Sequence, residues 1–182
     1  MSIFMTILTG AIASLIASVV FAFSLFRYKP SLEISDFIAD QSDKDGRFFT
    51  FKIINRTKSP VINIRADATV ANKVPSGAGY VYWTRQIPLV KDYMFQIGGF
   101  DRADTNADFA LRFVTKEDVD LLWQNPEDFI RLRVIATHPF SNFSRVFVKE
   151  FRVKSASVVP GAHQYGEALG IVKREAAIAA GS

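Results

Sequence analysis

The feature that most constrains this chain is an uncharged, apolar stretch near the N-terminus, from Ile3 to Phe26. A short basic segment with a proline, RYKP, follows directly and ends the apolar run. About 24 residues at 1.5 Å each make a helix of roughly 36 Å, which is enough to cross a hydrocarbon core of about 30 Å. The stretch therefore predicts a single transmembrane anchor over residues 1–29.

A cleaved signal peptide and a buried core helix are the alternative interpretations of this stretch. A signal peptide usually begins with basic residues and has a short apolar core that leads into its cleavage site. Here the first two residues carry no basic side chain, and the cleavage-like AIA motif at residues 11–13 lies in the middle of the run. A buried core helix typically has only about 10–14 apolar residues. Both comparisons favour a retained anchor.

Two basic residues, Arg27 and Lys29, predict the direction in which the anchor is inserted. They flank the C-terminal end of the span, whereas the other end carries only the amino terminus. The cytoplasmic flanks of membrane helices are enriched in Lys and Arg. We therefore expect Arg27 and Lys29 at the membrane surface, the N-terminus outside and the following domain in the cytoplasm. The absence of cysteine agrees with a reducing compartment.

Small residues recur every four positions along one side of the span, beginning with Thr6. Lipid tails give apolar helices no hydrophobic reason to associate, so close contact between small residues favours helix packing in membranes. After Thr6, the small residues of this series are Gly10, Ser14, Ser18 and Ala22, and we call these four residues the predicted helix seam. The alternative is that membrane spans are simply rich in small residues.

After the anchor, apolar and polar residues alternate with the period of two that is typical of strands with one face on a core. From Ile62 to Val70, for example, the even-numbered residues are apolar and the odd-numbered residues are polar. Turn signals such as DKDG and PSGAG separate such runs. The predicted strands are Ser31–Ile38, Arg47–Asn55, Val61–Ala71, Tyr80–Leu89, Ala107–Val114, Phe129–Thr137 and Arg145–Val153. This pattern predicts a mainly β fold, an antiparallel, immunoglobulin-like β-sandwich over residues 30–156.

The apolar faces of these strands supply the predicted core, and two helices are considered beside it. The predicted core residues are Phe49, Phe51, Ile64, Phe109, Leu111, Phe113 and Val134.

One short helix is predicted over Lys116–Trp123, with Thr115 as its N-cap. Residues 157–182 are predicted as a tail. Apolar positions from Gln164 to Ala180 fit a helix that two glycines weaken by about 1 kcal/mol each, and a frayed end is the alternative.

The chain offers little material for catalysis or metal binding. It has no cysteine and only two histidines, His138 and His163, which removes cysteine nucleophiles and the common zinc sites. Nucleophile-elbow, phosphate-loop and dinucleotide motifs do not occur in the sequence. A calcium-like loop begins at Asp104, but Phe109 replaces the required glycine and Thr115 the final glutamate. We therefore expect no enzymatic activity, no cofactor and no metal site.

The net charge of +4 is spread along the domain and forms no dense basic run. RNA-binding aromatic motifs are also absent from the sequence, so we expect no nucleic-acid partner. Arg131 and Arg133 share the outward face of one predicted strand and form a candidate partner surface, with a solvated sheet face as the alternative. Attraction to an anionic leaflet, about 1 kcal/mol per basic residue, makes membrane lipid an expected partner.

Two segments of the chain resemble known proteins. RYKPSLEIS, at residues 27–35, and FIRLRVIATHPFSNFSRVFVKEFR, at residues 129–152, resemble small uncharacterised bacterial proteins with one N-terminal span and a cytoplasmic β-sandwich. This resemblance covers most of the chain and implies no known activity. With the predicted orientation, it places the protein in the cell inner membrane. The second segment is also similar to two strands of the cytoplasmic immunoglobulin-like domain of inward-rectifier-type potassium channels. The chain has neither a second span nor their T-x-G-Y-G filter, so it cannot form such a pore alone.

These expectations lead to two functional hypotheses. In the first, the protein is a non-enzymatic, membrane-anchored interaction or accessory protein whose sandwich docks a cytoplasmic partner or channel-like complex at the cytoplasmic membrane face. A second copy or another membrane protein is the expected partner. In the second, the sandwich senses a small ligand and the transmembrane helices then oligomerise. A flat, exposed strand edge or an apolar patch would favour the first hypothesis. A concave, aromatic-lined pocket with converging polar groups would favour the second.

Overall fold

The computed structural model describes residues 3–44 and 46–172 of the 182-residue chain. One long helix is followed by a series of strands with two short helices between them. In chain order the elements are α1 (Ile3–Arg27), β1 (Leu32–Asp43), β2 (Gly46–Asn55), β3 (Val61–Ser76), β4 (Gly79–Ile87), β5 (Tyr93–Ile97), β6 (Ala110–Thr115), α2 (Val119–Leu122), β7 (Phe129–Thr137), β8 (Ser144–Phe151), α3 (Lys154–Ser157), β9 (Val158–Pro160), β10 (Ala162–His163) and β11 (Ile171–Val172). Each strand predicted from the alternating pattern has an observed counterpart.

Helix α1 corresponds to the apolar stretch of the sequence. Its window Ile3–Phe23 contains no buried residue, and it is long and apolar enough to cross a membrane. A signal sequence near an N-terminus can also meet this criterion of length and composition. The long apolar helix is therefore confirmed, while its role as a retained anchor stays a prediction.

The strands form two main sheets and one small one. The first sheet has the strand order β6-β2-β1-β9, and the second has the order β4-β3-β7-β8, with β5 also paired to β3. The pairs are antiparallel except for β1 with β9, which are parallel. Strands β10 and β11 form the small antiparallel pair. The prediction of a mainly β fold behind a single helix is confirmed, and the immunoglobulin-like arrangement stays a prediction.

The main core lies between the two large sheets. Phe51 on β2 and Phe151 on β8 meet across the sheets, with ring centroids 5.9 Å apart and almost no exposed surface. The predicted core residues in this cluster are Phe49, Phe51, Ile64, Phe113 and Val134. Phe109 is buried in a separate small cluster with Ile54. Leu111, on the edge strand β6, is half-buried and packs against the main cluster.

Strand β2 is buried on both faces, which the alternating pattern does not predict. Thr50, Lys52 and Ile54, on the face opposite the main core, are also shielded from solvent. The C-terminal segment 161–172 covers this second face, where His163 Nε2 lies 3.0 Å from the backbone oxygen of Thr50. The alternating pattern predicts β2 to be exposed on one face, but the structure encloses it on both.

The helix, one of the two alternatives for the tail, is not formed in the described part of the tail. Residues 164–172 contain no helix, and the segment instead closes the β10–β11 pair. Gly166 lies there with a φ of +66°, outside the helical region. The remainder of the predicted helix, residues 173–180, lies outside the described residues. The sandwich also extends past its predicted end at residue 156, because Val158–Pro160 pairs with β1.

Helix α2 is shorter than predicted and begins later. It covers Val119–Leu122 instead of Lys116–Trp123. Its N-cap is Asp118, whose carboxylate accepts a hydrogen bond from Asp120 N at 2.8 Å. Thr115, the predicted cap, is instead the buried last residue of β6. Asp is among the preferred N-cap residues, so the local chemistry fits the observed start.

Candidate functional site

The most exposed part of the domain is a two-stranded projection formed by the end of β3 and the start of β4. Strand β7 accompanies β3 only as far as Ala71, which pairs with Phe129. Beyond this point β3 and β4 continue together from the Asn72–Trp83 pair to the Ser76–Gly79 pair, without β7 beside them. We call residues 72–83 the β arm.

The β arm exposes large apolar side chains on both of its faces. The exposed fractions are 63% for Tyr80, 47% for Val81, 51% for Tyr82 and 70% for Trp83. Successive side chains of a strand point to opposite faces, so the two tyrosines share one face and Val81 and Trp83 share the other. Single exposed apolar residues are ordinary on protein surfaces, whereas a contiguous group of this kind marks a contact surface.

Contacts at its base hold the β arm in place. Tyr82 packs edge-on against Phe129, with ring centroids 5.5 Å apart. Asn72 Nδ2 donates a hydrogen bond to Asp128 Oδ2 at 2.8 Å. Asp128 is itself buried, and its backbone oxygen accepts a bond from the indole nitrogen of the core residue Trp123 at 2.8 Å. The arm is therefore joined to the core, and its aromatic side chains are presented in a defined geometry.

The outer edge of β4 is open. Among the described strands, its nine residues pair with β3 alone. An edge strand presents backbone N–H and C=O groups that can pair with a strand of another chain. Natural proteins usually block such edges with charges or proline. The segment Gly79–Trp83 contains neither, and the charged residue of β4, Arg85, lies two positions beyond it. This edge therefore has the geometry of a strand-addition site.

The outer face of the five-stranded sheet extends the apolar surface beyond the β arm. We define this outer face by its exposed apolar side chains: Tyr82, Tyr93, Phe95, Ile135, Val146 and Val148. Ile135 on β7 and Val146 on β8 are direct cross-strand partners, so their side chains form a continuous patch. The outer face thus carries an exposed apolar pair at Ile135 and Val146 among charged rows.

The predicted partner-surface residues, Arg131 and Arg133, also lie on the outer face, and each has an acidic neighbour. Arg131 Nη2 lies 2.8 Å from Glu150 Oε1, and Arg133 Nε lies 3.5 Å from Asp67 Oδ2. The hydrogen bond from Arg131 holds the pKa of Glu150 below its usual value. These charges are already paired within the sheet, and their rows lie between Tyr82 and the Ile135–Val146 pair. A partner that covers the whole outer face therefore has to cover both ion pairs.

The basic residues predicted at the membrane surface lie where α1 meets the domain. Arg27 is the last residue of α1, and Lys29 follows it by two positions. Both side chains are exposed. Tyr28, between them, contacts the turn that joins β7 to β8. The structure therefore brings this turn beside the predicted membrane surface, which the sequence does not indicate.

The helix seam on α1 is open to a neighbouring helix. A Cβ added at Gly10 would meet nothing within 4 Å. Ser18 Oγ donates a hydrogen bond to the backbone oxygen of Ser14 at 2.9 Å, so this hydroxyl is satisfied within its own helix. The seam can therefore enter an apolar interface without leaving the Ser18 hydroxyl unpaired.

We expect the double substitution Gly10→Leu and Ser14→Leu to abolish helix association without preventing membrane insertion. The change raises hydrophobicity, but the larger side chains hold neighbouring backbones apart and remove the close contact that association requires. Crosslinking in native membranes should show an assembly for the parent chain and none for the variant. Leu8→Ile with Leu15→Ile, on the opposite side, is the matched control and should assemble. Equal crosslinking of all three chains would show that the seam has no packing role.

A cleft of about 740 Å³ beside α2 and α3 is the second candidate site. Its strongest charges pair with one another: Arg47 contacts Asp40 at 2.6 Å and Asp120 at 2.7 Å. Lys154 also contacts Asp120, at 2.9 Å. Hydrogen bonds from Lys154 and then Arg47 lower the pKa of Asp120, so this carboxyl is ionised at neutral pH. Trp123 lines the cleft but is almost fully buried. The ionic groups are thus satisfied within the protein instead of being directed at a ligand.

Neither histidine is placed for acid–base catalysis. Burial lowers the pKa of His163 to about 4, so its ring is neutral at physiological pH. The Nδ1 atom of His138 accepts bonds from the backbone nitrogens of Phe140 and Ser141 at 3.3 and 3.4 Å. Within residues 3–44 and 46–172, no group of three His, Asp or Glu side chains is placed to hold a metal ion.

The exposure of the β arm does not follow from the alternating pattern. That pattern predicts Tyr80–Leu89 only as a strand. The signal was the run of apolar residues from Tyr80 to Trp83, which breaks the alternation and fits either two buried faces or two exposed ones. No protein-family model matches the chain and no curated protein matches it significantly, so its function has to be inferred from its own geometry.

Proposed function

We propose that the protein is a non-enzymatic, membrane-anchored interaction protein that docks another chain through the β arm and the outer face. The observation that carries the proposal is the open edge of β4, which presents Tyr80–Trp83 on a supported projection. Backbone pairing along this edge would supply affinity, and the alternating side chains would supply specificity. Tyr and Trp are enriched among the residues that contribute most to binding at protein interfaces.

The anchor and the β arm lie at opposite ends of the domain in this proposal. Strand β3 begins beside β7 at the Ile62–Thr137 pair, and the turn that follows Thr137 contacts Tyr28 at the end of α1. The 16 residues of β3 then lead away from that end, over roughly 50 Å at about 3.3 Å per residue. The β arm therefore projects away from the bilayer, where a second copy or another membrane protein with a cytoplasmic domain can reach it.

We expect the domain to lie in the cytoplasm of a bacterial cell, with the N-terminus of the inner-membrane span outside. Arg27 and Lys29 flank the domain side of the span, and basic flanks are retained on the cytoplasmic side. A reporter that works only in the cytoplasm should be active when fused to Ser182, and a reporter that works only after export should be silent. Activity of the exported reporter alone would contradict this orientation. Replacing Arg27 and Lys29 with neutral residues should weaken the preference for this membrane orientation.

The double substitution Val81→Lys and Trp83→Lys tests docking through the β arm. We expect it to remove the partner, because lysine on an exposed edge opposes pairing with an incoming strand. The free energy of unfolding should change by no more than about 0.5 kcal/mol, since both side chains are exposed. The measurement is affinity purification from membranes in mild detergent, followed by mass spectrometry of the bound chains.

The matched control for this test is Val153→Lys with Val172→Lys. These apolar side chains are also exposed, at 58% and 54%, and the hollows that they line contain no residue of the β arm or of the outer face. The control should retain the partner that the arm variant loses. Recovery of the same partner with the arm variant and the parent chain would refute docking at this edge.

The alternative function, a ligand-sensing membrane effector whose transmembrane helices oligomerise, receives less support from the geometry. It requires converging polar groups that remain available to a ligand. In the cleft beside α2, Arg47, Asp120 and Lys154 neutralise one another. The open strand edge has no such internal partner among the described residues, and it therefore favours docking.

A further inference from the structure

The turn between β7 and β8 presents an apolar side chain to solvent at the end of the domain that meets α1. Phe140 lies in this turn and is 67% exposed. Backbone hydrogen bonds hold the turn: His138 N donates to Phe143 O, and Asn142 N donates to His138 O, each at 2.9 Å. The ring nitrogen Nδ1 of His138 accepts further bonds from the backbone nitrogens of Phe140 and Ser141. The turn is thus an ordered element that directs Phe140 outward.

The same turn packs against Tyr28, the first residue after α1. The rings of Phe140 and Tyr28 meet edge to face, with centroids 5.2 Å apart, and Ser141 Oγ donates a hydrogen bond to the backbone oxygen of Tyr28. The apolar run ends at Phe26, two residues before Tyr28, or roughly 3 Å along a helix axis. The headgroup layer beside the hydrocarbon core is roughly 5–8 Å deep. Phe140 therefore lies at the level of the headgroups when α1 spans a bilayer.

Basic side chains lie near Phe140, at the level expected for the lipid headgroups. A hollow of about 450 Å³ is lined by Lys29, Pro30, Phe143, Ser144 and Arg145, and none of these five residues is acidic. Anionic headgroups attract juxtamembrane basic residues by about 1 kcal/mol each. The hollow thus offers positive charge next to an outward-directed aromatic ring, at the depth where aromatic residues are enriched in membrane proteins.

We propose that the β7–β8 turn is a second membrane contact of the domain. Phe140 enters the interfacial layer beside the anchor, and Lys29 and Arg145 bind the phosphate of an anionic phospholipid headgroup. The inference rests on the anchoring role of α1 in the proposed function, but neither on the side of the membrane that the domain occupies nor on the partner of the β arm. Two contacts fix the tilt of the sandwich, and the β arm is then held away from the bilayer.

Labelling of single positions in the full-length chain tests this contact. The chain has no cysteine, so Phe140→Cys, Val19→Cys and Trp83→Cys can each carry one environment-sensitive NBD fluorophore. The proteins are reconstituted in vesicles of phosphatidylethanolamine and phosphatidylglycerol that contain nitroxide lipids. We expect a quencher near the headgroup to remove most of the emission at position 140. A quencher deep in the acyl chains should remove most of it at position 19, and neither should affect position 83.

The controls separate this inference from the proposed function. If position 140 behaves like position 83 while position 19 is quenched, the anchor is embedded and the second contact is refuted. If position 19 also escapes quenching, α1 is not embedded, and both proposals are refuted. The test does not involve docking at the β arm, so loss of the arm's partner leaves its outcome unchanged.

Reversing the charge of one basic residue tests whether the anionic headgroup is bound. In the protein labelled at position 140, Arg145→Glu should weaken quenching by the shallow nitroxide lipid, and so should replacement of phosphatidylglycerol by phosphatidylcholine. Arg85→Glu makes the same charge change on the exposed far side of the domain and should leave quenching unchanged. Equal quenching in the parent, Arg145→Glu and phosphatidylcholine samples would refute headgroup binding.

Discussion

Replacing Phe51 by alanine is expected to lower the free energy of unfolding by about 3–5 kcal/mol, a large part of what holds a domain of this size folded. Phe51 has no exposed surface and contacts Phe151 of the opposite sheet. Its neighbours in the first sheet, Ile38 and Phe113, are also buried, so the surrounding side chains cannot easily fill the cavity. The loss therefore combines the transfer free energy of the ring with the cost of an unfilled volume.

Denaturant unfolding of the full-length protein in mild detergent measures this change. The fluorescence of Trp123 reports it, because this indole belongs to the same core and is 1% exposed. Phe95→Ala is the matched control: Phe95 is 65% exposed, and its loss should cost no more than about 0.5 kcal/mol. Similar unfolding midpoints for the two variants would show that Phe51 does not join the sheets in the way the structure indicates.

The second large effect is expected at Lys52, which holds the C-terminal segment against β2. Its ammonium donates three hydrogen bonds, to the backbone oxygens of Gln164, Gly166 and Ala168, at 2.6, 2.7 and 2.7 Å. All three donors of the group are thus used. Burial, assisted by nearby arginines, lowers the pKa of Lys52 to about 8, so the group remains mainly protonated at neutral pH. The charged form is the one that can satisfy three carbonyl groups together.

Lys52→Met should lower stability by about 2–4 kcal/mol, because it removes three charge-assisted bonds and leaves buried carbonyl oxygens without a donor. Methionine keeps most of the apolar stem, so the loss reports the ammonium and little else. Part of the cost is relieved when the segment separates from β2 and its carbonyls reach water. Hydrogen exchange should therefore accelerate at the amides of β10 and β11, while β3 and β7 remain protected.

The exposed Lys58 provides the control for this experiment. Lys58→Met makes the same chemical change at the surface and should alter neither stability nor exchange beyond about 0.5 kcal/mol. Unchanged exchange of β10 and β11 in Lys52→Met would contradict the anchoring role of the ammonium. Global unfolding without selective exchange would show that the segment and the sandwich are one cooperative unit.

Elements with a strong local pattern could be predicted, and elements defined by distant partners could not. The alternation from Ile62 to Val70 indicated β3 correctly, because a strand against a core needs apolar side chains at every second position. Strand β5, Tyr93–Ile97, has no counterpart among the predicted strands: it is short, and its core-facing positions, the half-buried Met94 and the buried Ile97, are three apart. It is a strand because it pairs with the start of β3.

In the candidate site, too, some features follow from local sequence and others depend on distant contacts. That residues 80–87 form a strand follows from their β-branched and aromatic side chains, which favour extended backbone. Their exposure depends on where β7 begins, since β7 accompanies β3 only as far as Ala71. The turn carrying Phe140 was expected from its proline, but its contact with Tyr28 joins residues more than a hundred positions apart. Such a contact has no signal in either local segment.

The amino-acid order alone was sufficient for the apolar helix, the mainly β fold behind it and the absence of familiar catalytic motifs. Hydrophobicity and its period are local quantities, because each side chain's tendency to leave water depends little on the rest of the chain. The covered second face of β2, the open edge of β4 and the position of Phe140 beside α1 required the folded molecule. They depend on which strands end up adjacent and which groups are left without a neighbour, and many distant contacts together determine that outcome.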